Sequence, residues 1–159
     1  MRIEPVDFEH PDAVRLCEQQ RVELARRYGR PDSEPGGPPS ADEIRVFLIA
    51  RDPATGEPVG CGGLRQLADR VGEIKRMYVV PDRRRGGVAG QVLRALERHA
   101  RDLGWLTLRL ETGDRQPDAI AFYERHGYRP IPTFGVYVGA AGSVCFERDL
   151  PDRAELAPS

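Results

Sequence analysis

The sequence predicts one mixed α/β domain with a mainly antiparallel meander of strands at its centre. A length of 159 residues favours a single domain with its own core. Strand-like apolar stretches alternate with segments whose apolar residues recur every three or four positions. Gly- and Pro-rich turns separate many of these segments. The expected order is strand, helix, short helical turn, three strands, helix, strand, helix and two strands, which is typical of helices packed on a mixed sheet.

The N-terminal part of the chain is expected to form a short strand and a long helix. Residues 2–6 predict the strand. Residues 11–28 predict the helix, because apolar residues recur at helical spacing with Gln20 as a polar interruption. The Gly- and Pro-rich stretch 29–39 predicts a loop. A capping-box pattern at 40–43 then predicts a short helical turn.

The middle of the chain predicts three consecutive strands. The continuous apolar run 46–50 is typical of a buried strand. A hairpin-type turn at 52–57 leads into a glycine-containing strand at 58–67. The third strand covers 72–80 and is ended by Pro81.

The next part contains the clearest helix, at 87–103, with one apolar stripe and a Gly stop after it. Leucines alternate with polar residues over 106–111, which predicts a strand with unequal faces. A second helix is expected at 117–126, with Pro in its first turn and Gly127 at its end.

The C-terminal part predicts a short strand at 128–131, an aromatic and Gly-rich loop at 132–142 and a last strand at 143–150. We expect residues 1–150 to form the single domain and residues 151–159 to be a flexible tail. Edge strands near the C-terminus need cover, so a homodimer is possible.

Composition excludes several functional classes. The formal net charge is −1, which argues against a dedicated nucleic-acid binder. No apolar run approaches the roughly 18–20 residues that span a bilayer, and the N-terminus does not resemble a signal peptide. Cys17, Cys61 and Cys145 are odd in number and lack metal-ligand spacing, so we expect no metal. The chain is therefore expected to be cytoplasmic, with the cysteines as small core residues.

The segment 72–90 predicts an anion site, because a strand ends, an Arg- and Gly-rich loop follows and a long helix begins. Free N–H groups and the positive end of the helix dipole bind anions there, and glycines allow a close approach to the backbone. Neither a Gly-Lys-Ser/Thr phosphate loop nor a Gly-x-Gly-x-x-Gly after the first strand is present. A pyrophosphate suits this segment; a solvated arginine turn at Arg83–Arg85 is the alternative.

Two blocks of the sequence resemble the GNAT superfamily of acyl-CoA-dependent N-acetyltransferases. Arg84-Arg85-Gly86-Gly87-Val88-Ala89 matches the signature Arg/Gln-x-x-Gly-x-Gly/Ala. The second block runs from Leu108-x-Leu110-Glu-Thr112 to Ala119-Ile120-Ala121-Phe122-Tyr123 and on to Gly127-Tyr128. The resemblance covers roughly residues 44 to 130 and is to small bacterial single-domain members.

The resemblance implies a GNAT-like fold in which a splayed, mixed and mainly antiparallel sheet is flanked by helices. Acetyl-CoA, the acyl donor, would lie where strands 72–80 and 106–112 part. The implied cofactor-binding residues are the strand residues Met77, Tyr78 and Val79, the loop and helix residues Arg84, Arg85, Gly86, Gly87, Val88, Ala89 and Gly90, and Gln116, which stands where many members have Asn.

Acetyl transfer to an amine needs a base, a polarised carbonyl and an acid for the thiolate. Tyr123 matches the family tyrosine near the cofactor sulfur and is the candidate acid; a packed helix aromatic is the alternative. Glu73 is the candidate base, because some members have a glutamate in the matching place. An ion pair of Glu73 with Lys75 or with Arg65 across the strands is its alternative. The backbone N–H of Val79 would polarise the carbonyl.

The expected acceptor is a small-molecule primary amine, an amino acid or related amine, attacked directly in a ternary complex. Family members select the acceptor with the first helix and its loop, the hairpin near residue 65 and the penultimate loop. An Arg-plus-aromatic wall there suits a carboxylate-bearing amine. Its members are Tyr28, Arg65, Arg76, Phe134 and Tyr137. Three alternatives remain: a protein N-terminal or lysine acetyltransferase, a non-catalytic acyl-CoA-binding module, and a nucleic-acid binder that uses the arginine patch. No nucleic acid or membrane partner is expected.

Overall fold

A computed structural model of the chain describes residues 1–30 and 37–156. The strands are β1 (Arg2–Pro5), β2 (Ile44–Arg51), β3 (Pro58–Ala68), β4 (Val71–Val79), β5 (Thr107–Gly113), β6 (Arg129–Ile131) and β7 (Ser143–Asp149). The α-helices are α1 (Pro11–Tyr28), α2 (Val88–Asp102) and α3 (Pro117–Arg125). Short 3₁₀ turns lie at Ala41–Glu43, Pro81–Arg83, Gly135–Tyr137 and Arg153–Leu156.

One seven-stranded sheet organises the described residues, in the order β1-β2-β3-β4-β5-β7-β6. Every neighbouring pair is antiparallel except β4 and β5, which run parallel. The parallel pair joins only at the starts of its two strands, through Val71↔Thr107, Gly72↔Leu108 and Glu73↔Arg109. Beyond these residues β4 and β5 separate and leave unpaired backbone facing the gap. The predicted splayed and mainly antiparallel sheet is therefore confirmed.

A bulge in β4 lies next to this separation. The register between β3 and β4 passes from Cys61↔Tyr78 to Gly63↔Lys75, so Gly62 alone faces the two residues Arg76 and Met77. Arg76 adopts a φ of 60°, in the left-handed region that non-glycine residues rarely occupy. Such bulges bend and twist the strand that carries them. The bulge thus changes the direction of β4 close to where it leaves β5.

Two apolar cores cover the two faces of the sheet. On one face, α2 contributes Val92, Leu93 and Leu96 to a large cluster that includes Leu108 and Leu110 of β5. On the opposite face, α1 contributes buried residues to a smaller cluster, whose members are Ala13, Leu16, Phe47, Ile49, Cys61 and Tyr78. The helical stripes expected from the sequence therefore face the sheet, and the sheet lies between α1 and the pair α2 and α3.

The predicted elements and the observed ones agree in type and order. The capping box at Ser40 and Glu43 forms, since each residue bonds to the other's backbone. Strand β5 begins one residue later than expected, and Leu106 is left exposed before it. Residues expected in a flexible tail include the turn Arg153–Leu156, in which Leu156 is buried and its carbonyl accepts a hydrogen bond from Arg98. The loop predicted at 29–39 lies partly outside the described residues.

Gly72 lets Trp105 pack against the start of β4. A Cβ atom on Gly72 would lie 2.3 Å from two ring atoms of the buried Trp105. We expect Gly72→Ala to lower the free energy of unfolding by about 1–3 kcal/mol, because overpacking a rigid aromatic forces the backbone to move. Urea denaturation of both proteins measures the change. Gly86→Ala is the control, since the nearest atom to its Cβ would be 3.7 Å away. Equal stability of Gly72→Ala and the unsubstituted protein would contradict this packing argument.

Candidate active site

A cavity of about 600 Å³ lies in the gap between β4 and β5. Both strands line it with the residues that follow their short pairing, from Ile74 to Met77 and from Leu110 to Gly113. Residues of α1 and of the β6–β7 loop also line the cavity, and so do residues of α3. Its charged lining residues are Arg21, Arg30, Lys75, Arg76, Glu111, Asp114 and Arg115. The cavity therefore offers a polar and mainly cationic space at the only parallel strand pair described.

Tyr123 of α3 lines the cavity and is otherwise packed among aromatic rings. Its ring centroid lies 5.2 Å from that of Phe122 and 5.8 Å from that of Tyr128, both in edge-to-face contacts. Burial raises the pKa of the Tyr123 phenol well above its usual value. The phenol is thus neutral at physiological pH and can donate a proton or a hydrogen bond into the cavity.

Glu73 of β4 is a buried carboxylate with an ordered set of partners. Its side chain is only 2% exposed. Arg65 Nε donates to Glu73 Oε1 at 2.8 Å, and Tyr137 Oη donates to Glu73 Oε2 at 2.6 Å. Lys75 Nζ lies 3.9 Å from the same Oε2. A buried charge of this kind is tolerated only when it is paired and hydrogen-bonded, and here both oxygens have a donor.

The end of the cavity near the C-terminus of α1 is closed by Tyr28. Its hydroxyl accepts a hydrogen bond from the backbone N–H of Arg115 at 3.2 Å, and the Arg115 guanidinium lies 5.7 Å from its ring centroid. A Cβ on Gly113 would lie 1.7 Å from the Tyr28 hydroxyl oxygen. Position 113 therefore requires glycine, because the phenol of Tyr28 occupies the space beside its Cα.

Helix α2 begins without a side-chain cap. Its N-cap, Gly87, has a φ of 85°, and no acidic residue lies in the first turn. The first hydrogen bond of the helix runs from Gln91 N–H to the carbonyl of Gly87. The N–H groups of residues 88–90 therefore have no acceptor within the helix. These N–H groups and the positive end of the dipole of a 15-residue helix are suited to an anion, and the anion site predicted from the sequence stays a prediction here.

The arginines of this loop have different surroundings. Arg83 forms an ion pair with Asp52. Arg84 donates through Nε to the carbonyl of Val79 at 2.9 Å and pairs with Glu23 of α1 at 2.7 Å. Arg85 is exposed. Two of the three charges therefore tie the loop to neighbouring elements, and the uncapped backbone is the feature of this segment best suited to the predicted anion.

The cavity gathers six of the residues expected at the site. The expected residues that line it are Tyr28, Arg76, Met77, Gln116, Tyr123 and Tyr137. Among the described residues, the expected site residues that do not line it are Glu73, Arg65, Phe134, Tyr78, Val79 and residues 84–90. Arg65 binds Glu43 and Glu73 instead, and the ring of Phe134 packs on Tyr137 and Arg109. Neither side chain lines the cavity beside which the acceptor wall was expected.

Three lining residues were not among the site residues expected from the sequence. Lys75, the single lysine of the chain, lines the cavity beside Tyr137. Glu111 projects from the polar side of β5 and accepts a hydrogen bond from Ser143 at 2.6 Å. Gln20 donates to the carbonyl of Met77 at 2.8 Å, which ties α1 to the bulge. The interruption of the α1 stripe by Gln20 and the alternation in β5 were the only signals in the sequence.

Across 1–30 and 37–156, none of the helices is both long and apolar enough to cross a bilayer. In the same ranges, no three or more His, Cys, Asp or Glu side chains are grouped so as to hold a metal ion.

Comparison with known proteins identifies the family. The model of the acetyltransferase (GNAT) family matches residues 15–128. A curated relative from Azospirillum brasilense, named IAA acetyltransferase, is 37% identical over 105 residues, which cover 65% of this chain and 67% of that protein. A structure from Klebsiella pneumoniae, assigned as an acyl-CoA N-acyltransferase, aligns with a TM-score of 0.80 at 30% identity and covers 94% of this chain and 97% of that one.

A second solved structure shares the fold and holds the acyl donor. It is a GNAT family acetyltransferase from Elizabethkingia anophelis with acetyl-CoA bound, with a TM-score of 0.68, 18% identity and coverage of 94% of this chain and 97% of that one. The family model alone spans well over half of the 159 residues. The chain is therefore a member of the acetyltransferase (GNAT) family of acetyl-CoA-dependent N-acetyltransferases.

Proposed function

We propose that this enzyme transfers the acetyl group of acetyl-CoA to the primary amine of a small carboxylate-bearing molecule, an amino acid or related amine, by direct attack in a ternary complex. The observation that carries the acceptor class is the charge of the cavity. Its described lining includes Arg21, Arg30, Lys75, Arg76 and Arg115 but only two acidic side chains, Glu111 and Asp114. Arginines of this kind suit a carboxylate because their fork-shaped donors match its two oxygens.

The residues around the cavity fit acetyl-CoA. The uncapped start of α2 supports binding of the pyrophosphate by the backbone of residues 84–90. Val80 N–H donates to the carbonyl of Val59 across β3, so the amide of Val79 is directed to the opposite side, where β5 has left. Met77, Tyr78 and Val79 would hold the pantetheine arm, and Gln116 lines the same space. Acetyl-CoA supplies an activated thioester to this site.

The residues of the chain supply the proton chemistry. The neutral phenol of Tyr123 would donate to the departing thiolate, since a phenol of raised pKa keeps its proton until a stronger base forms beside it. Glu73 would be the final acceptor of the proton that the amine loses. The backbone N–H of Val79 would polarise the thioester carbonyl.

Three broader expectations stay predictions. They are a domain of residues 1–150, a cytoplasmic location and a homodimer. The burial of Leu156 supports a packed region that extends past residue 150.

Thiol release from acetyl-CoA tests the proposed function directly. The panel contains individual amino acids, each with its decarboxylated amine, and peptides with a free N-terminus or an internal lysine. Turnover of free amino acids supports the proposal. Turnover of the peptides alone would instead indicate a protein N-terminal or lysine acetyltransferase. Thermal stabilisation by CoA with no turnover would indicate a non-catalytic acyl-CoA-binding module.

Arg76 provides the test of carboxylate recognition. We expect Arg76→Gln to raise KM about tenfold for amino acids, because one charge-assisted hydrogen bond contributes about 1.5–3 kcal/mol. The KM for decarboxylated amines should change less than about twofold by the same reasoning. Steady-state kinetics on matched acceptor pairs measures both. Arg45→Gln on the exposed side of β2 is the control. Equal losses on both kinds of acceptor would exclude a carboxylate contact at Arg76.

Tyr123 provides the test of the acid. We expect Tyr123→Phe to lower kcat by about 100-fold or more, the range typical of a lost general acid. The Kd for CoA should change little, because the ring and its packing remain. Stopped assays give kcat, and isothermal titration calorimetry gives the Kd. An unchanged kcat would remove Tyr123 from the reaction, and a parallel loss of CoA binding would assign it to packing instead.

A further inference from the structure

We propose that Tyr137 is a catalytic residue that carries the proton of the acceptor amine from the cavity to Glu73. The inference rests on the proposed function, because it needs an amine that binds as an ammonium group in the cavity. It assigns to Tyr137 a role in proton transfer that differs from the wall position expected from the sequence.

The base and the substrate space do not meet directly. Glu73 is 1% exposed and is absent from the described lining of the cavity. Tyr137 belongs to the turn Gly135–Tyr137 and lines the cavity. Its hydroxyl donates to Glu73 Oε2 at 2.6 Å, a short bond of the kind that charged acceptors form. Tyr137 is therefore the group through which Glu73 can receive a proton from the cavity.

Lys75 orients this hydroxyl and stabilises its transfer step. Lys75 Nζ donates to Tyr137 Oη at 3.0 Å. A lysine ammonium has no acceptor, so the phenol hydrogen must be directed elsewhere, and Glu73 is the acceptor it reaches. The ammonium also favours the negative charge that develops on the phenol oxygen while its proton moves to Glu73.

Other charged groups hold the carboxylate in place. Arg65 binds the other carboxylate oxygen, Oε1, and is itself paired with Glu43 at 2.8 Å. Arg109 is the register partner of Glu73 on β5. Glu111, on the same strand, and Glu73 both raise the pKa of the neighbouring Cys145 thiol, together with burial. These groups set the charge around Glu73, and none of them lies between Glu73 Oε2 and Tyr137.

The proton balance closes without any further reagent. The acceptor ammonium gives one proton to Tyr137 Oη while Tyr137 gives its own phenolic proton to Glu73 Oε2. The products are a neutral amine that can attack the thioester, an intact phenol and a protonated Glu73. When the amine attacks, its nitrogen loses a second proton, which replaces the proton that Tyr123 gives to the departing thiolate. Glu73 returns the proton along the same route after the acetylated product leaves, so the enzyme regains its starting state.

The test is the pH dependence of kcat/KM for Tyr137→Phe, which removes one hydroxyl and retains the ring. The probe is an equimolar mixture of nineteen proteinogenic L-amino acids with acetyl-CoA; cysteine is omitted because its thiol reacts in the assay. We expect a loss of about 100-fold near neutral pH, as for other proton-transfer groups. The loss should shrink as pH rises, because Tyr137→Phe can use only amine that is already neutral, and that fraction grows with pH.

Two further variants separate proton transfer from structure. Glu73→Gln should show the same pH-dependent loss, and the double variant should be no worse than either single one, because both residues act in one path. Tyr128→Phe is the matched control, since Tyr128 also donates to a buried glutamate, Glu97, at 2.9 Å but belongs to the core. It should lower the melting temperature and leave the shape of the pH profile unchanged.

The possible outcomes are distinct. A loss that narrows with rising pH, shared by Tyr137→Phe and Glu73→Gln with unchanged CoA affinity, supports the relay. A loss that is the same at every pH, or additive losses in the double variant, would overturn it. A failure of the unsubstituted enzyme to turn over the amino-acid mixture would overturn the proposed function and, with it, the relay. A pH-independent loss or additive losses would count against the role of Tyr137 alone and leave the proposed function in place.

Discussion

Strands β4 and β5 pair at three positions and then part, and the rest of the site depends on that separation. Parallel strands that stay paired leave no room for a ligand between them, and their backbone groups bond to each other. Here the ladder stops after Glu73↔Arg109, and a cavity of about 600 Å³ lies between the residues that follow. The bulge at Arg76 and Met77 follows shortly after Glu73 on the same strand. An acyl donor in this family can therefore use strand backbone as its binding surface.

The separated strands could not remain apart without support from both faces of the sheet. On one face, α2 packs its apolar stripe against β2, β3 and β4, in one cluster with Leu108 and Leu110 of β5. On the other, Gln20 of α1 bonds to the Met77 carbonyl, and Tyr28 fills the space above Gly113. Arg84 joins the anion-binding loop to α1 through Glu23. Helix α1 thus contacts β4, β5 and the loop at once, and it holds the open gap in a defined shape.

Burial of Glu73 organises the acceptor side. A carboxylate beneath the cavity is stable only with donors on both oxygens, and these come from separate segments, Arg65 on β3 and Tyr137 in the β6–β7 loop. The cost of leaving that charge unpaired keeps the loop docked on the sheet. The contacts that stabilise the buried charge of Glu73 therefore also connect its carboxylate to the cavity through Tyr137.

The sequence by itself determined the order of elements, the Gly-rich turn before α2 and the place of Tyr123 on α3, because each depends on neighbours close in the chain. The local patterns are the apolar stripes of the helices, the Gly-rich start of α2 and the apolar residues that precede Tyr123. Tertiary structure alone decided what lies next to Glu73. The sequence offered Lys75 and Arg65 as alternatives to a catalytic role, whereas the fold brings both to the carboxylate and adds Tyr137, 64 positions away. The left-handed bulge at Arg76 and the distribution of arginine pairs were equally hidden, since long-range packing and charge pairing select them and no local pattern encodes them.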